Sequence, residues 1–340
     1  MDWSLEFQED KSNFHRFIVF QDRLMDTFSV SDPFRTKRPS FVANTLLLII
    51  IMGLYPIAGS LLFSFVNGGL PQRIVFLRFD KSMLTLLRTI QSVGQILVLA
   101  LPVLLLAGWH TGKKNPFSPE SLAYLGVRRS VDFGAVAFAV SGIFLLQPLL
   151  YTVTALQDIY LWPSLGTAGA EVVRQRDVMD LFIKELALVR TVPEFVTVFF
   201  VLAITPAVCE ELFFRGYIQQ NYTRSMSTGG AVILTGFVFA FFHLSAANLI
   251  PLALLGCYIG YIYSETGNIA VSFFVHLANN LAALLLLLFA GDGDSLMISR
   301  PASLVNTPWW WLVVAGSLIL FVMVILQFST ASSSRVEPLS

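Results

Sequence analysis

Residues 42–66 read VANTLLLIIIMGLYPIAGSLLFSFV, without one charged side chain. About 20 apolar residues in a row suffice to cross the hydrocarbon core of a bilayer as a helix. Seven further stretches have this character, at 86–109, 133–156, 195–220, 229–247, 250–264, 268–290 and 308–328. The chain therefore reads as an all-α, polytopic membrane helix bundle of about eight transmembrane helices, the sixth being the short one. The apolar runs are continuous, which excludes the alternating pattern of a membrane β-barrel.

The bulk composition agrees. Of 340 residues, 55% are hydrophobic and 13% charged, against about 25% charged in a typical soluble domain. Lys plus Arg equals Asp plus Glu, 22 each, so no charge excess points to nucleic acid. The two cysteines, Cys209 and Cys257, fall inside apolar runs and read as small buried residues, not as a disulfide framework.

The chain divides into four parts. Residues 1–40 form a polar tail with no cleavable signal, in which Phe14, Phe17, Ile18, Leu24, Met25 and Phe28 suit an interfacial amphipathic helix. Residues 41–194 hold the N-terminal membrane helices and two long connections, 110–131 and 157–194. In the second, Val178, Leu181, Phe182 and Leu186 predict another interfacial helix. Residues 195–290 hold the chemistry. Residues 291–340 supply the last helix, opened by Pro308 and Trp309–Trp311, and a tail. Lys and Arg in the first tail, in 110–131 and at Arg224 and Arg335 outnumber those on the opposite side, placing the N-terminus inside. The expected location is an integral, multi-pass protein of the cell membrane if the source is bacterial.

Within the fourth apolar run stands CEELFFRGYI, residues 209–218. A charge at mid-membrane costs about 2.5–3.5 kcal/mol on insertion scales, so three unpaired ones would cost roughly 7–10 kcal/mol. They must face other helices or water. Glu211 and Arg215, four residues apart, share a face and can form a structural ion pair. Glu210, turned about 100° from Glu211, has no partner at that spacing. His243 and His276 lie in the fifth and seventh runs, with Asn280 one turn beyond His276. Counting outward at 1.5 Å per residue from turns near 225–229, 248 and 266–268 puts these residues at one depth.

A carboxylate beside an imidazole can hold and deprotonate water, and a second imidazole with an amide can donate to a developing oxyanion. The same Glu210, His243 and His276 could instead bind a divalent metal such as zinc, with one position open for water. The residues leave both chemistries open. Cys209 has no histidine at helical spacing and does not read as a nucleophile.

The motifs Glu210-Glu211-Leu-Phe-Phe-Arg215, Phe239-Ala-Phe-Phe-His243 and His276-Leu-Ala-Asn-Asn280 together resemble those of the CPBP intramembrane protease family. That family includes CAAX prenyl endopeptidases and bacteriocin-processing or immunity proteins. The resemblance covers residues 195–290. It implies an intramembrane endopeptidase acting on a hydrophobic or lipidated peptide or a membrane-anchored protein within the bilayer. It further implies that Glu210 with His243 activates water, that His276 and Asn280 form the oxyanion site, and that Glu211 and Arg215 hold the helices. A metal-free glutamate mechanism is the expectation it favours. A non-catalytic scaffold or immunity protein of the same fold, and a proton-coupled transporter using Glu210 and the histidines as a relay, are the alternatives.

Overall fold

A computed structural model describes residues 38–67, 80–289 and 304–334, and every regular element among them is helical. In chain order these are α1 (Phe41–Asn67), α2 (Lys81–Thr111), α3 (Pro119–Tyr124), α4 (Phe133–Ser164), α5 (Gly166–Leu186), α6 (Val192–Tyr222), α7 (Thr228–Phe242), α8 (Leu249–Thr266), α9 (Ile269–Phe289) and α10 (Pro308–Ser334). Seven are long and apolar enough to cross a membrane: α1, α2, α4, α6, α8, α9 and α10. The protein is an integral, multi-pass helix bundle. The expected interfacial helix of the tail lies outside the described residues.

The short helix is α7, not the sixth as the sequence suggests. Its 15 residues end at Phe242. That makes it about 22 Å long, short of the ~30 Å hydrocarbon core. It stops because His243 already caps it and Leu244 takes the left-handed conformation, φ +51°, the one non-glycine residue to do so among those described. The turn that follows is held by Asn248 Nδ2 donating to Ser245 Oγ at 3.0 Å, and by Gln157 Nε2 of α4 donating to Ala247 O at 3.3 Å. Irregular backbone at membrane depth requires this kind of satisfaction from protein groups.

Three long helices widen into π-type turns, over Ile96–Ala100 in α2, Gln157–Leu161 in α4 and Phe200–Ile204 in α6. Each widening precedes a proline, Pro102, Pro163 and Pro206. A proline lacks the N–H that would bond the carbonyl four residues back and crowds that carbonyl, so the preceding turn opens. A further π-type stretch, Glu211–Gln219, carries the charged motif itself.

The core gathers around α6. Phe213, Phe214, Arg215, Tyr217 and Ile218 are essentially inaccessible. Leu99, Ile143, Phe239 and Ile259, from α2, α4, α7 and α8, belong to the same buried cluster. The connection 157–194, expected to hold a helix through Val178, Leu181, Phe182 and Leu186, carries the 21-residue α5, which includes all four and begins at a left-handed Gly166. Its last carbonyls are captured by Arg88 of α2: Nε donates to Leu186 O at 3.0 Å and Nη2 to Leu188 O at 2.5 Å.

Candidate active site

The site is built on α6, α7 and α9, with a wall from α2. Glu210 and Glu211 are adjacent on α6, 5% and 1% exposed. Arg215 Nη1 donates to Glu211 Oε1 at 2.9 Å, and its Nη2 donates to Gly256 O of α8 at 3.0 Å. The guanidinium also lies over the Phe239 ring, 4.8 Å from its centre. The pair thus serves three helices at once, which is how a fully buried charge is tolerated.

His276 on α9 stands between the two carboxylates. Its Nδ1 is 2.9 Å from Glu211 Oε1, and its Nε2 is 3.9 Å from Glu210 Oε2. The first is a hydrogen bond in which Nδ1–H donates. The second exceeds hydrogen-bond length. Glu210 Oε2 is buried without a hydrogen-bond partner. A carboxylate oxygen with no donor on it is what a general base for water needs.

His243 sits one residue beyond α7 and is partly buried. Its Nδ1 is 2.8 Å from Phe239 O. With that nitrogen donating, Nε2 carries the lone pair. The Phe239 ring contacts both histidines, with centres 4.7 Å from His243 and 5.7 Å from His276. Asn280 lies one turn after His276 on α9. Its Oδ1 accepts from Asn279 Nδ2 at 3.4 Å, while Asn279 Oδ1 accepts from Gln147 Nε2 of α4 at 3.1 Å. The structure therefore brings Glu211, Arg215 and His276 into one hydrogen-bonded group, with Glu210 Oε2 3.9 Å from His276 Nε2. It ranges His243 and Asn280 beside it, across Phe239 and one turn along α9.

Residues 192–282 match the family model described as type II CAAX prenyl endopeptidase, Rce1-like. That segment is similar to an Rce1-like domain. The match supports the CPBP protease family, and it begins where α6 begins and ends within α9. Comparison with curated proteins and with solved structures gave no match.

A metal centre of the expected kind needs three ligands drawn to one point. Among the described residues, no three His, Cys, Asp or Glu side chains are placed to hold one ion. His276 Nδ1 is committed to Glu211, and His243 Nδ1 to a backbone carbonyl. Each imidazole keeps its Nε2 open, so Glu210, His243 and His276 would hold a metal only if drawn closer together than they stand.

Two contacts come from outside the matched segment. Gln95 of α2, 3% exposed, donates from Nε2 to Glu210 Oε1 at 3.3 Å. Tyr55 of α1 stands close to Gln91, Gln95 and Glu210. A signal for Gln95 exists in the sequence. Arg88, Ser92 and Gln95 fall on one face of an otherwise apolar helix, at spacings of four and three.

Proposed function

We propose that the protein is an intramembrane endopeptidase that hydrolyses a peptide bond in a lipidated or membrane-anchored protein, using a water activated by Glu210. The observation that carries this is the buried, unpartnered Glu210 Oε2 facing His276 Nε2 across 3.9 Å. A water in that gap accepts order from both groups. Glu210 takes its proton as the oxygen attacks the scissile carbonyl, and later delivers it to the leaving amine. The carbonyl oxygen becomes an oxyanion, for which the Asn280 amide, one turn beyond His276, is the candidate donor.

His243, with its lone pair on Nε2, is the second acceptor able to share the proton. The CAAX description of the matched family supports a prenylated C-terminal peptide as the first substrate to try.

The test uses the purified full chain in liposomes and a farnesylated CAAX peptide with a fluorophore–quencher pair. Glu210→Gln is expected to lower kcat by about 10²–10⁴-fold, the usual worth of a positioned base. A proteomic comparison of cells bearing wild type or Glu210→Ala should show uncleaved membrane-associated precursors in the variant. Full cleavage by Glu210→Gln would overturn the assignment. A phenotype that survives loss of both Glu210 and His243 would instead mark a non-catalytic scaffold.

A further inference from the structure

Glu210 is usable as a base only if its carboxylate is held still, and nothing within the matched segment bonds its Oε1 among the described contacts. The one hydrogen bond recorded for that oxygen comes from Gln95 Nε2 at 3.3 Å. Gln95 lies on α2, well before the matched segment 192–282. We propose that Gln95 is a positioning residue for Glu210, clamping Oε1 so that Oε2 faces His276 and the reacting water. The inference rests on the reading of Glu210 as the base.

Three observations carry it. Gln95 is 3% exposed, and burying an amide in an apolar helix interface is costly unless it has a partner. The partner is the carboxylate, which can only accept, so the amide nitrogen must be the end that faces it. The helix around Gln95 is also shaped to deliver it, because α2 opens into π-type turns at the next residue, Ile96, ahead of Pro102. The chemistry of an amide suits the task. A guanidinium or ammonium at this position would neutralise the carboxylate and weaken it as a proton acceptor. An amide fixes its orientation and leaves its charge. Tyr55 of α1, beside Gln95 and Glu210, walls the pair from the other side. The first two helices thereby complete a site whose motif residues all lie in the second half of the chain.

The test is Gln95→Met, which keeps the side-chain volume and removes the amide, assayed in liposomes with the farnesylated CAAX peptide. The expected result is a kcat lower by about 10- to 100-fold, the worth of one hydrogen bond to a charged group, with KM and thermal midpoint unchanged. In a Glu210→Gln background, Gln95→Met should lower the residual rate no further, because its effect runs through Glu210. A wild-type kcat overturns the inference. So does a loss that appears as raised KM or a lowered midpoint, since that describes packing alone. Gln95→Asn keeps an amide but withdraws it by one carbon, and covers the case in which Gln95→Met does not fold. It is expected to lose kcat comparably, and full activity in it overturns the inference as well. If Glu210→Gln is itself fully active, the reading of the base fails. If Glu210→Gln is inactive and Gln95→Met is not, only the role of Gln95 fails.

Discussion

The neighbouring carboxylates Glu210 and Glu211 have the same chemistry and opposite surroundings. Glu211 Oε1 accepts from both Arg215 and His276 at 2.9 Å, so it is held by two donors. Glu210 has one amide donor on one oxygen and none on the other. Glu211 is thereby tied into the helix packing, while Glu210 is the carboxylate less engaged by donors. Arg215→Met should therefore act on stability first, by leaving Glu211 short of its cation and freeing Gly256 O. Breaking a buried pair from one side costs about 3–5 kcal/mol. A lowered thermal midpoint in detergent would check this, with activity lost only in step with folding. Leu244 is the other residue whose local state matters. Its left-handed backbone costs an L-residue about 1–2 kcal/mol. Leu244→Gly should raise the midpoint modestly, and an unchanged or lower midpoint would show that the exposed Leu244 side chain is needed where it stands.

Helix packing decides where His243 goes. The small residues Gly256 and Gly260 on α8 form the GxxxG spacing that permits close approach. A Cβ at Gly256 would stand 2.9 Å from Gly236 O and 3.0 Å from Gly236 Cα on α7. One at Gly260 would meet Gln219 Oε1 of α6 at 2.8 Å. The two glycines thus seat α8 against α7 and α6, which carry the first two motifs. Gly256→Val should push α7 away, at about 1–3 kcal/mol for overpacking, and displace His243 from the cluster. The expected outcome is a lower midpoint with activity falling further than the loss of folded protein explains. Gly316→Ala on α10, where an added Cβ meets nothing within 4 Å, is the matched control and should change neither.

Across the whole bundle, the connections sort to two ends. At one end, Arg38 before α1 donates to Tyr124 O at 2.7 Å and to Asn221 Oδ1 at 3.0 Å, and also bonds Gln220. There Ile269 N donates to Gly126 O at 3.0 Å and Asn268 Nδ2 to Ser130 O at 2.8 Å. The start of α1, the α2–α4 connection and the turns after α6 and α8 therefore share a face. At the other end lie the Arg88 contacts to the α5–α6 junction, the bond from Gln157 to Ala247 O, and Trp310 Nε1 donating to Thr152 Oγ1 at 2.9 Å. This is strict alternation of eight helices, α7 included. Cysteines introduced at Lys114 and Arg224 should react with a membrane-impermeant thiol reagent from one side, and one at Arg174 from the other. The Lys and Arg bias puts the first two inside. Labelling of Lys114→Cys and Arg174→Cys from the same side would contradict the arrangement.

The sequence by itself determined the class of fold and the candidate residues. Continuous apolar runs have one stable solution in a bilayer, and charges inside such runs must be gathered inward, so Glu210, Glu211, Arg215, His243, His276 and Asn280 could be named before any coordinates. Only the tertiary structure decided how they divide. His276 proved to sit between both glutamates, because α9 packs against α6 at that level. His243 proved to lie at the end of a short α7, because Leu244 turns the chain. Gln95 of α2 proved to hold Glu210, a contact between residues separated by 115 positions. Periodicity along one helix reports which face is polar. Which polar face it meets depends on packing between helices, and no local pattern encodes that.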